Sequence, residues 1–532
     1  MFVVVAIPFW MRPDEAEQTQ ASEKVLVIVS PHNDTIRGEF ASAFGDYLEA
    51  KTGERVRIDW RDLGGTSDIS KFIDGSYRAA FENHWRNKLK RKWKTKGSGP
   101  GDVAVSKSTP DGTAGDDTEF EKARREFLKS EVGIGIDLFF GGGPYYFKRH
   151  ASRGHLVDSG IFDQEPSWFT DDVIPYTTSG EIMYDKERRW VGNCLSSFGI
   201  LYNTDFLQRI EAEVPDQWSD LGDPKFFGAV ALADPTKSGS ANTAFEMLLQ
   251  QQLAKAVSSI DPSKVADQEK ATFDALDSGW TEGLNLIQRI AANARYFTDQ
   301  STKIPYDVSQ GNAAAGMTID FYGRTSNERL RKDDGSSRAV FVAPIGGTSI
   351  GADPIGMFRG APHPDLALEF IHFVLSPAGQ RLWHYRIDAP GGPKVHALRR
   401  LPIRKDAYTE DELKYSSDPE VMPYERAKQF YYEADWTAPH FNIIKFIIQV
   451  MCLETHEELQ EAWNVLVETG FPPRATKIFY DVSQVGYTNV TGDLSQRMSS
   501  SDPLTIQKLR RDLREGFRQN YEDAAEIARR EL

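Results

Sequence analysis

The sequence is poor in cysteine and carries no surplus of basic residues. Its two cysteines, Cys194 and Cys452, lie far apart and outside any metal-ligand spacing. They argue against a zinc site or a disulfide framework, and leave open one long-range disulfide or two buried thiols. The 78 acidic residues against 63 Lys and Arg give a net charge of −15. This balance argues against nucleic acid or an anionic membrane as the main partner, but it allows a local cationic pocket for a small anion.

Long apolar runs and the phosphate-binding P-loop motif are also missing. The apolar start, residues 1–11, is shorter than the roughly 20 residues of a membrane-spanning helix and lacks the basic flank of a signal peptide. We interpret it as the tail of an export signal or membrane anchor that would begin upstream; the alternative is a disordered terminus of a cytoplasmic protein. The sequence contains no GxxxxGK[ST], so a nucleotide P-loop is not supported.

What is present predicts an α/β protein of two or three domains. At 532 residues and 40% hydrophobic content the chain can bury sizeable cores. Lys24–Val29 predicts a buried strand, Asn33 and Asp34 can cap the helix that follows, Gly53 can close that helix, and residues 56–60 alternate as a second strand. Such a β–α–β unit predicts a parallel sheet with ligand-binding groups at the carboxyl ends of its strands.

The stretch 228–246 places a short strand, a Ser/Gly loop and a capped helix in succession. Residues 229–233 predict the strand, and Thr243 with Glu246 has the spacing of a capping box. Residues 237–242 would then present hydroxyls and backbone N–H groups at a helix start, where the helix dipole favours an anion. Taken alone, this stretch is better explained as an ordinary strand-to-helix turn. An anion site here needs support from other segments of the chain.

Residues 85–96, WRNKLKRKWKTK, form a basic run without one acid. Such a run can bind nucleic acid, but beside so acidic a chain we favour a solvated helix within a surface insertion of about residues 85–130. Residues 135–140 then predict a strand that leads into three glycines, 141–143. These glycines would let the backbone approach a ligand closely or would form a plain turn.

Several segments together resemble the extracellular solute-binding proteins of ABC importers, specifically the family of ferric-iron, sugar-phosphate and phosphonate binders. Each motif is loose, but their succession over residues 24–404 is specific. The segments are SPHND (30–34), FFGGG (139–143), SSFGILYNTDFL (196–207), DPKFFG with LADP and SGS (223–240), GNAAAGMTIDFYG (311–323) and ALEFIHFVLSPAGQ (367–380).

The resemblance implies an α/β, two-lobe periplasmic-binding-protein fold (type II), which catches its ligand when the lobes hinge shut. Residues 196–203 and 341–345 would cross between the lobes. The implied division is an N-terminal segment, 1–23; lobe one, 24–195 and 341–404; lobe two, 196–340; and a C-terminal helical extension, 405–532. The extension is expected to pack on a lobe, and docking of a partner is the sharper alternative.

The resemblance also implies a function. The chain would be a non-enzymatic, monomeric binding protein, periplasmic or extracellular, with its N-terminal segment as a potential membrane anchor. It would deliver a small anionic solute to an ABC permease, with no nucleic acid partner and no cofactor. The alternatives are a ferric-iron carrier, a ligand-sensing domain of a signalling system and, with little support, a hydrolase that uses His32 with Asp320 or Ser197.

Five polar loops would then face the cleft. Their hydroxyls suit phosphate or carboxylate oxygens, and Asp320 would accept from a hydroxyl or amine of the same ligand, a mixture that fits a phosphorylated sugar or phosphonate. Lys237 and Arg324 are the candidate cations. The predicted ligand-binding residues are Ser30, His32, Asn33, Thr66, Ser67, Gly142, Gly143, Ser196, Ser197, Ser238, Gly239, Ser240, Asn242, Asp320 and Tyr322.

No metal is predicted. The iron binders of this family use a His, a Glu and two adjacent Tyr as ligands. Here His32 takes the His position, but the Glu position falls in the Gly141–Gly143 loop and the Tyr pair is Phe321-Tyr322. Ferric iron is a hard cation that needs anionic oxygens as ligands. Because two of the four ligands are missing, we favour an organic anion over a metal as the solute.

Overall fold

The computed structural model describes residues 24–107, 118–500 and 502–531. The predicted N-terminal segment, 1–23, lies outside them. The strands are β1 (Lys24–Val29), β2 (Val56–Arg61), β3 (Leu138–Phe140), β4 (Leu156–Val157), β5 (Thr177–Thr178), β6 (Glu181–Ile182), β7 (Val191–Ser196), β8 (Phe198–Asn203), β9 (Val230–Ala233), β10 (Ala294–Thr298), β11 (Ala315–Ile319), β12 (Ala339–Val342), β13 (Gly351–Phe358) and β14 (Leu401–Pro402).

The helices separate these strands and then fill the C-terminal region. In chain order they are α1 (Asp34–Thr52), α2 (Thr66–Asn83), α3 (Pro100–Ala104), α4 (Glu119–Lys129), α5 (Pro144–Ser152), α6 (Ile161–Gln164), α7 (Thr204–Arg209), α8 (Gly239–Ser258), α9 (Gln268–Ala292), α10 (Lys303–Gln310), α11 (Asp320–Arg329), α12 (Pro364–Leu375), α13 (Pro377–His384), α14 (Glu410–Leu413), α15 (Pro423–Arg426), α16 (Ala434–Thr437), α17 (Phe441–Ile448), α18 (His456–Thr469), α19 (Pro473–Phe479), α20 (Tyr487–Thr491), α21 (Asp493–Met498) and α22 (Pro503–Arg530).

Lobe one is built on a sheet of order β14-β7-β13-β3-β1-β2, with β4 paired to β13. Strand β1 runs parallel to β2 and β3, because α1 carries the chain back between β1 and β2. The side chain of Asn33 caps α1 by accepting from the N–H of Ile36, and Gly53 ends the helix in the left-handed conformation. Leu26 and Ile28 of β1 are fully buried. The predicted β–α–β unit is therefore confirmed.

Lobe two is built on a sheet of order β10-β9-β11-β8-β12. Strand β9 is parallel to β10 and β11, whereas β8 is antiparallel to β11 and β12. Helices α8 and α9 lie against each other in this lobe and bury Leu248, Trp280 and Ile287 in its core. Burial of such large side chains stabilises the lobe, at about 25 cal/mol per Å² of apolar surface.

The chain passes between the two sheets at Ser197 and again over residues 343–350. Strand β7 belongs to the first sheet and β8 to the second, with only Ser197 between them, and the return leads from β12 in the second sheet to β13 in the first. Lobe one is therefore discontinuous in sequence. The predicted two-lobe α/β fold with a helical C-terminal region is confirmed, although the second passage lies later than the predicted 341–345.

The C-terminal region packs on both lobes. Val421 and Ala427 are buried in the lobe-one core, whereas α17, α18 and α22 place Ile444, Leu466 and Phe517 in the lobe-two core. Residues 430–442, which we call the bridging segment, join these two parts and form a third passage between the lobes. Helix α22 begins at Pro503, where the side chain of Asp502 caps it by accepting from the N–H of Leu504.

The segment predicted as a surface insertion is partly core. Trp85 is 3% exposed, and Val103, Ala104, Ala123 and Phe127 are fully buried in lobe one. The description as a surface insertion is therefore wrong for these residues. The basic run read as a solvated helix is helical only as far as residue 88. Its tryptophans turn inward, since Trp85 packs on Phe81 and Trp93 packs on Trp85.

Two smaller expectations concern membrane spans and cysteines. Among the described residues, no helix combines the length and the apolar character that crossing a membrane requires. Cys194 and Cys452 are both free and buried, Cys194 in the core of lobe one and Cys452 in that of lobe two. Of the two possibilities left open by the sequence, the structure therefore shows two buried thiols.

Candidate functional site

A cavity lies between the two lobes. The space in it that the centres of water molecules can occupy measures about 120 Å³, and its wall is drawn from β6, β13 and the start of α5 in lobe one and from β8 and α8 in lobe two. The lobes touch beside it. A Cβ atom added at Gly65 of lobe one would lie 2.9 Å from the backbone oxygen of Lys237 of lobe two. The structure therefore shows the lobes closed on each other.

The N-termini of α5 and α8 lie on the wall of this cavity, and the N-terminus of α2 lies beside them. A Cβ atom at Gly239, the first residue of α8, would lie 2.6 Å from the hydroxyl oxygen of Thr66 in α2 and 3.2 Å from the ring of Tyr146 in α5. Glycine at position 239 is what permits this approach. Helix N-termini carry a partial positive charge and unpaired N–H groups, so their convergence creates a field that favours an anion.

Lys148 adds a full positive charge to the cavity wall. It lies in α5, one turn after the helix start. The cations indicated by the sequence are placed elsewhere: the side chain of Lys237 is exposed, and Arg324 forms ion pairs with Asp320 and Asp418 at 3.1 and 3.4 Å. The cation of the cavity therefore comes from lobe one and was missed from the sequence.

Helix α8 begins earlier than predicted. Ser238 is its N-cap and accepts from the N–H of Ala241, whereas Thr243 lies inside the helix and donates its hydroxyl to the backbone oxygen of Gly239 at 3.1 Å. The predicted Thr243–Glu246 capping box is therefore wrong. Ser238 takes the cap because a serine next to the loop satisfies the first free N–H groups. Glu246 is freed from capping and lines the cavity.

Two buried carboxyl groups line the cavity in addition to that of Asp353, one from each lobe. Glu181 of β6 accepts from the hydroxyl of Ser349 at 2.7 Å. Glu246 of α8 accepts from the hydroxyls of Tyr432 and Thr437, both at 2.7 Å. Burial raises the pKa of both carboxyl groups, and that of Glu246 reaches about 7. The interior of the cavity therefore combines acidic groups with the positive charge of Lys148.

Behind the glycine loop lies a buried ionic platform. Asp353 accepts from the N–H of Gly142 and pairs with Arg400 at 2.7 Å. Burial opposes ionisation of Asp353, but Arg400 and the other donors hold its pKa below the ordinary value. His32 lies beside Arg400, 4.8 Å from the ring of Phe140, and burial lowers its pKa to about 3. The platform fixes the loop that forms one edge of the cavity.

The predicted site residues fall into two groups. Five line the cavity: Gly142, Gly143, Ser196, Gly239 and Ser240. The others are hydrogen-bonded within the protein or packed beside the cavity. Thr66 touches Gly239, Asn33 and Ser238 cap helices, Ser30 donates to the backbone oxygen of Phe140, Ser67 bonds Tyr146, Asn242 donates to the backbone oxygen of Phe441, Ser197 contacts Asp320, His32 packs on Phe140 and Trp383, and Tyr322 stacks against Phe321.

Several wall residues were not found from the sequence. Lys148, Glu181 and Ser349 lie outside any motif used above, and Tyr432 and Phe441 belong to the bridging segment, which lies beyond the part of the chain that the resemblance covers. The buried stretch 441–448 was a usable signal for a packed helix. Nothing local indicates that the residues before it line a cleft.

The described residues bring one group of three metal-ligating side chains together: Asp74, His150 and His155. Their ring nitrogens already have partners. His150 bonds His155 through Nδ1 and Ser70 through Nε2, and His155 bonds the backbone oxygen of Ala104. Asp74 is paired with two arginines. This cluster is a buried hydrogen-bond network in lobe one, and its donor set does not suit a metal.

Comparison with known proteins adds a family. A family model described as bacterial extracellular solute-binding protein matches residues 140–423, which is just over half of the chain. The phosphoglycerate transport regulatory protein PgtC of Salmonella typhimurium is 26% identical over 192 residues, which cover 36% of this chain and 40% of that protein. The chain thus spans about two-fifths of the length of this curated relative.

Two solved structures are similar in shape. The periplasmic binding protein AfuA from Actinobacillus pleuropneumoniae, solved with fructose-6-phosphate, has a TM-score of 0.48 and 15% identity over 80% of this chain and 98% of that chain. Iron-bound HitA from Pseudomonas aeruginosa has a TM-score of 0.42 and 14% identity over 79% of this chain and 98% of that chain.

Proposed function

Because the chain belongs to the family of bacterial extracellular solute-binding proteins, we propose that its cleft captures a small anionic solute of the phosphorylated-sugar or phosphonate type. Members of this family are transport proteins rather than enzymes. They act in the periplasm or outside the cell and deliver solutes to ABC permeases in the membrane. The identity of the solute, the monomeric state and a membrane anchor belong to the proposal.

The main observation in favour of an anionic solute is that two helix N-termini, those of α5 and α8, meet Lys148 on one cavity, with the N-terminus of α2 beside them. Each helix start offers free N–H groups and a partial positive charge, and Ser240 adds a hydroxyl at the start of α8. A phosphate or phosphonate has several acceptor oxygens, which such a set of donors can share. The name of the relative PgtC, a phosphoglycerate transport regulatory protein, also supports a phosphorylated solute.

Two other functions remain candidates. The word regulatory in the name of PgtC favours a ligand-sensing domain that signals through a partner. A ferric-iron carrier is favoured by the oxygen atoms of Glu181, Glu246 and Tyr432 on the cavity wall. Against iron, the only group of three or more His, Cys, Asp or Glu side chains brought together among the described residues lies elsewhere, at Asp74.

The predicted lobe boundaries also stay a proposal. We propose lobe one as residues 24–195 with 341–404, and lobe two as residues 196–340, a division that sheet membership supports except for β12, which pairs with β8 of lobe two. Of the predicted ligand contacts, we propose that Gly142, Gly143, Ser196, Gly239 and Ser240 touch the solute.

The test is thermal unfolding of ligand-stripped protein against sugar phosphates, phosphonates, dicarboxylates and Fe(III) with carbonate. A ligand at a hundredfold over its dissociation constant stabilises the native state by about 2.7 kcal/mol, which raises the midpoint by a few degrees. We expect a phosphorylated compound to do so, and Ser240→Ala to reduce the shift. Ser258→Ala, at the exposed other end of α8, is the matched control. A shift produced by Fe(III) alone would contradict the proposal.

A further inference from the structure

The cavity contains a second set of groups that an anion by itself leaves unused. Glu181 belongs to lobe one and Glu246 to lobe two, and both carboxyl groups line the cavity. Their side chains are buried, since the two residues are 7% and 4% exposed. An ionised phosphate group lacks the hydrogen-bond donors that two carboxylates would accept from, and its negative charge is repelled by them. The presence of this pair therefore sets a requirement on the rest of the solute.

Each of these carboxyl groups keeps one oxygen available. Among the described residues, the hydrogen bonds made to them all end on Oε1: Ser349 donates to Glu181, and Tyr432 and Thr437 donate to Glu246. The Oε2 atom of each makes no hydrogen bond within the described part of the chain, which leaves it for a donor of the ligand. A carboxylate oxygen that a bound solute covers loses its water donors, and that loss costs free energy unless a donor of the solute replaces them.

We propose that Glu181 and Glu246 form a carboxyl pair that recognises the hydroxyl groups of the solute, so that the protein selects polyhydroxylated phosphate esters over plain phosphate esters. This inference rests on the proposed function, because it describes the part of the solute that lies beyond its phosphate. A hydroxyl donates directly to a carboxylate, and charge-assisted hydrogen bonds of this kind are about twice as strong as neutral ones.

The placement of the pair on opposite lobes gives it a second effect. A solute whose hydroxyls reach both Glu181 and Glu246 is held by lobe one and lobe two at once, which is possible only when the cleft is closed. The bridging segment supports this arrangement, because its Tyr432 and Thr437 hold Glu246 in place. Recognition of hydroxyls is thereby coupled to closure of the lobes.

The experiment compares matched compounds by titration calorimetry on the full chain. The first pair is fructose 6-phosphate with hexyl phosphate, and the second is glycerol 3-phosphate with propyl phosphate; unphosphorylated fructose and glycerol complete the panel. In the wild type we expect a hydroxylated ester to bind about 10- to 100-fold tighter than its hydroxyl-free partner. Glu246→Gln and, independently, Glu181→Gln should remove most of that preference. Glu526→Gln, at an exposed position of α22, should keep it.

Lys148→Gln separates this inference from the proposed function. It should weaken both members of a pair by a similar factor, because it acts on the shared phosphate. Equal affinity of the two members in the wild type, or an unchanged preference in both Gln variants, overturns the inference. Binding of fructose or glycerol, but of no phosphate ester, overturns the phosphorylated solute and supports the carboxyl pair if Glu246→Gln abolishes it. If no compound of the panel binds, both the phosphorylated solute and the carboxyl pair are overturned.

Discussion

Replacement of Glu246 by Gln should change how the stability of the protein depends on pH. The carboxyl group is buried in the cavity wall, and burial raises its pKa from an ordinary value of 4.5 to about 7, although the hydroxyls of Thr437 and Tyr432 partly oppose the rise. A glutamine keeps nearly the same shape and can still accept from these two hydroxyls. It cannot ionise, so the variant removes the titration and little else.

The sign and the size follow from the two pKa values. Between pH 4.5 and 7 the native state holds a proton on Glu246 that the unfolded state has already lost. The free energy of unfolding therefore falls as pH rises through this window. A difference of about 2.5 pKa units corresponds to about 3 kcal/mol above pH 7. Glu246→Gln should recover this amount, so that its stability relative to wild type is about 3 kcal/mol higher at pH 8 than at pH 4.5.

The assay is chemical unfolding of wild type and variant at pH 4.5, 6, 7 and 8. Buried histidines also change the stability with pH, with the opposite slope: His32, His155 and others have lowered pKa values, so their stabilisation is lost as pH falls below 6.5. The difference between variant and wild type cancels them. Glu526→Gln should follow the wild type. Parallel curves for Glu246→Gln and wild type across the whole range would refute the argument.

Two further substitutions test the edge of the cavity. Gly142→Ala should lower the free energy of unfolding by about 1–3 kcal/mol, because its φ is +114° and the new Cβ would lie 2.0 Å from the methyl carbon of Thr66. Gly45→Ala is the control and should not lower it, because there is open space around Gly45. Equal unfolding midpoints for Gly142→Ala and wild type would contradict this prediction. Asp353→Asn should lower the free energy of unfolding, measured in urea, by about 3–5 kcal/mol, because it leaves Arg400 buried without its anionic partner. A loss under 1 kcal/mol would show that the ion pair is not needed for stability.

The elements predicted correctly are those that short sequence signals define. Asn33 and Gly53 bracket α1 because a cap and a left-handed glycine act within one turn of the chain. The cap that Asp502 provides at the start of α22 is a bond of the same local kind. The order of segments then indicated a two-lobe architecture. Local chemistry and segment order were therefore enough for the fold.

The site was less predictable, because its groups come from distant parts of the chain. Lys148 has no motif, and Tyr432 reaches the cavity only because the bridging segment passes there. Glu246 was misread as part of a cap, since the spacing from Thr243 suits a capping box as well as a buried helix face. Ser30 and Ser67 look like ligand contacts in sequence, yet their hydroxyls are used inside lobe one. Small polar residues in a loop serve both purposes.

The bridging segment has a consequence for the kinetics of exchange. It bonds lobe one, where the N–H of Tyr432 donates to the backbone oxygen of Ser179 and Asn442 donates to the hydroxyl of Tyr145. It also bonds lobe two through Glu246. These bonds tie the two lobes to each other beside the cavity. Opening of the cleft would have to break them, so we expect the bridging segment to slow both the entry and the release of a solute.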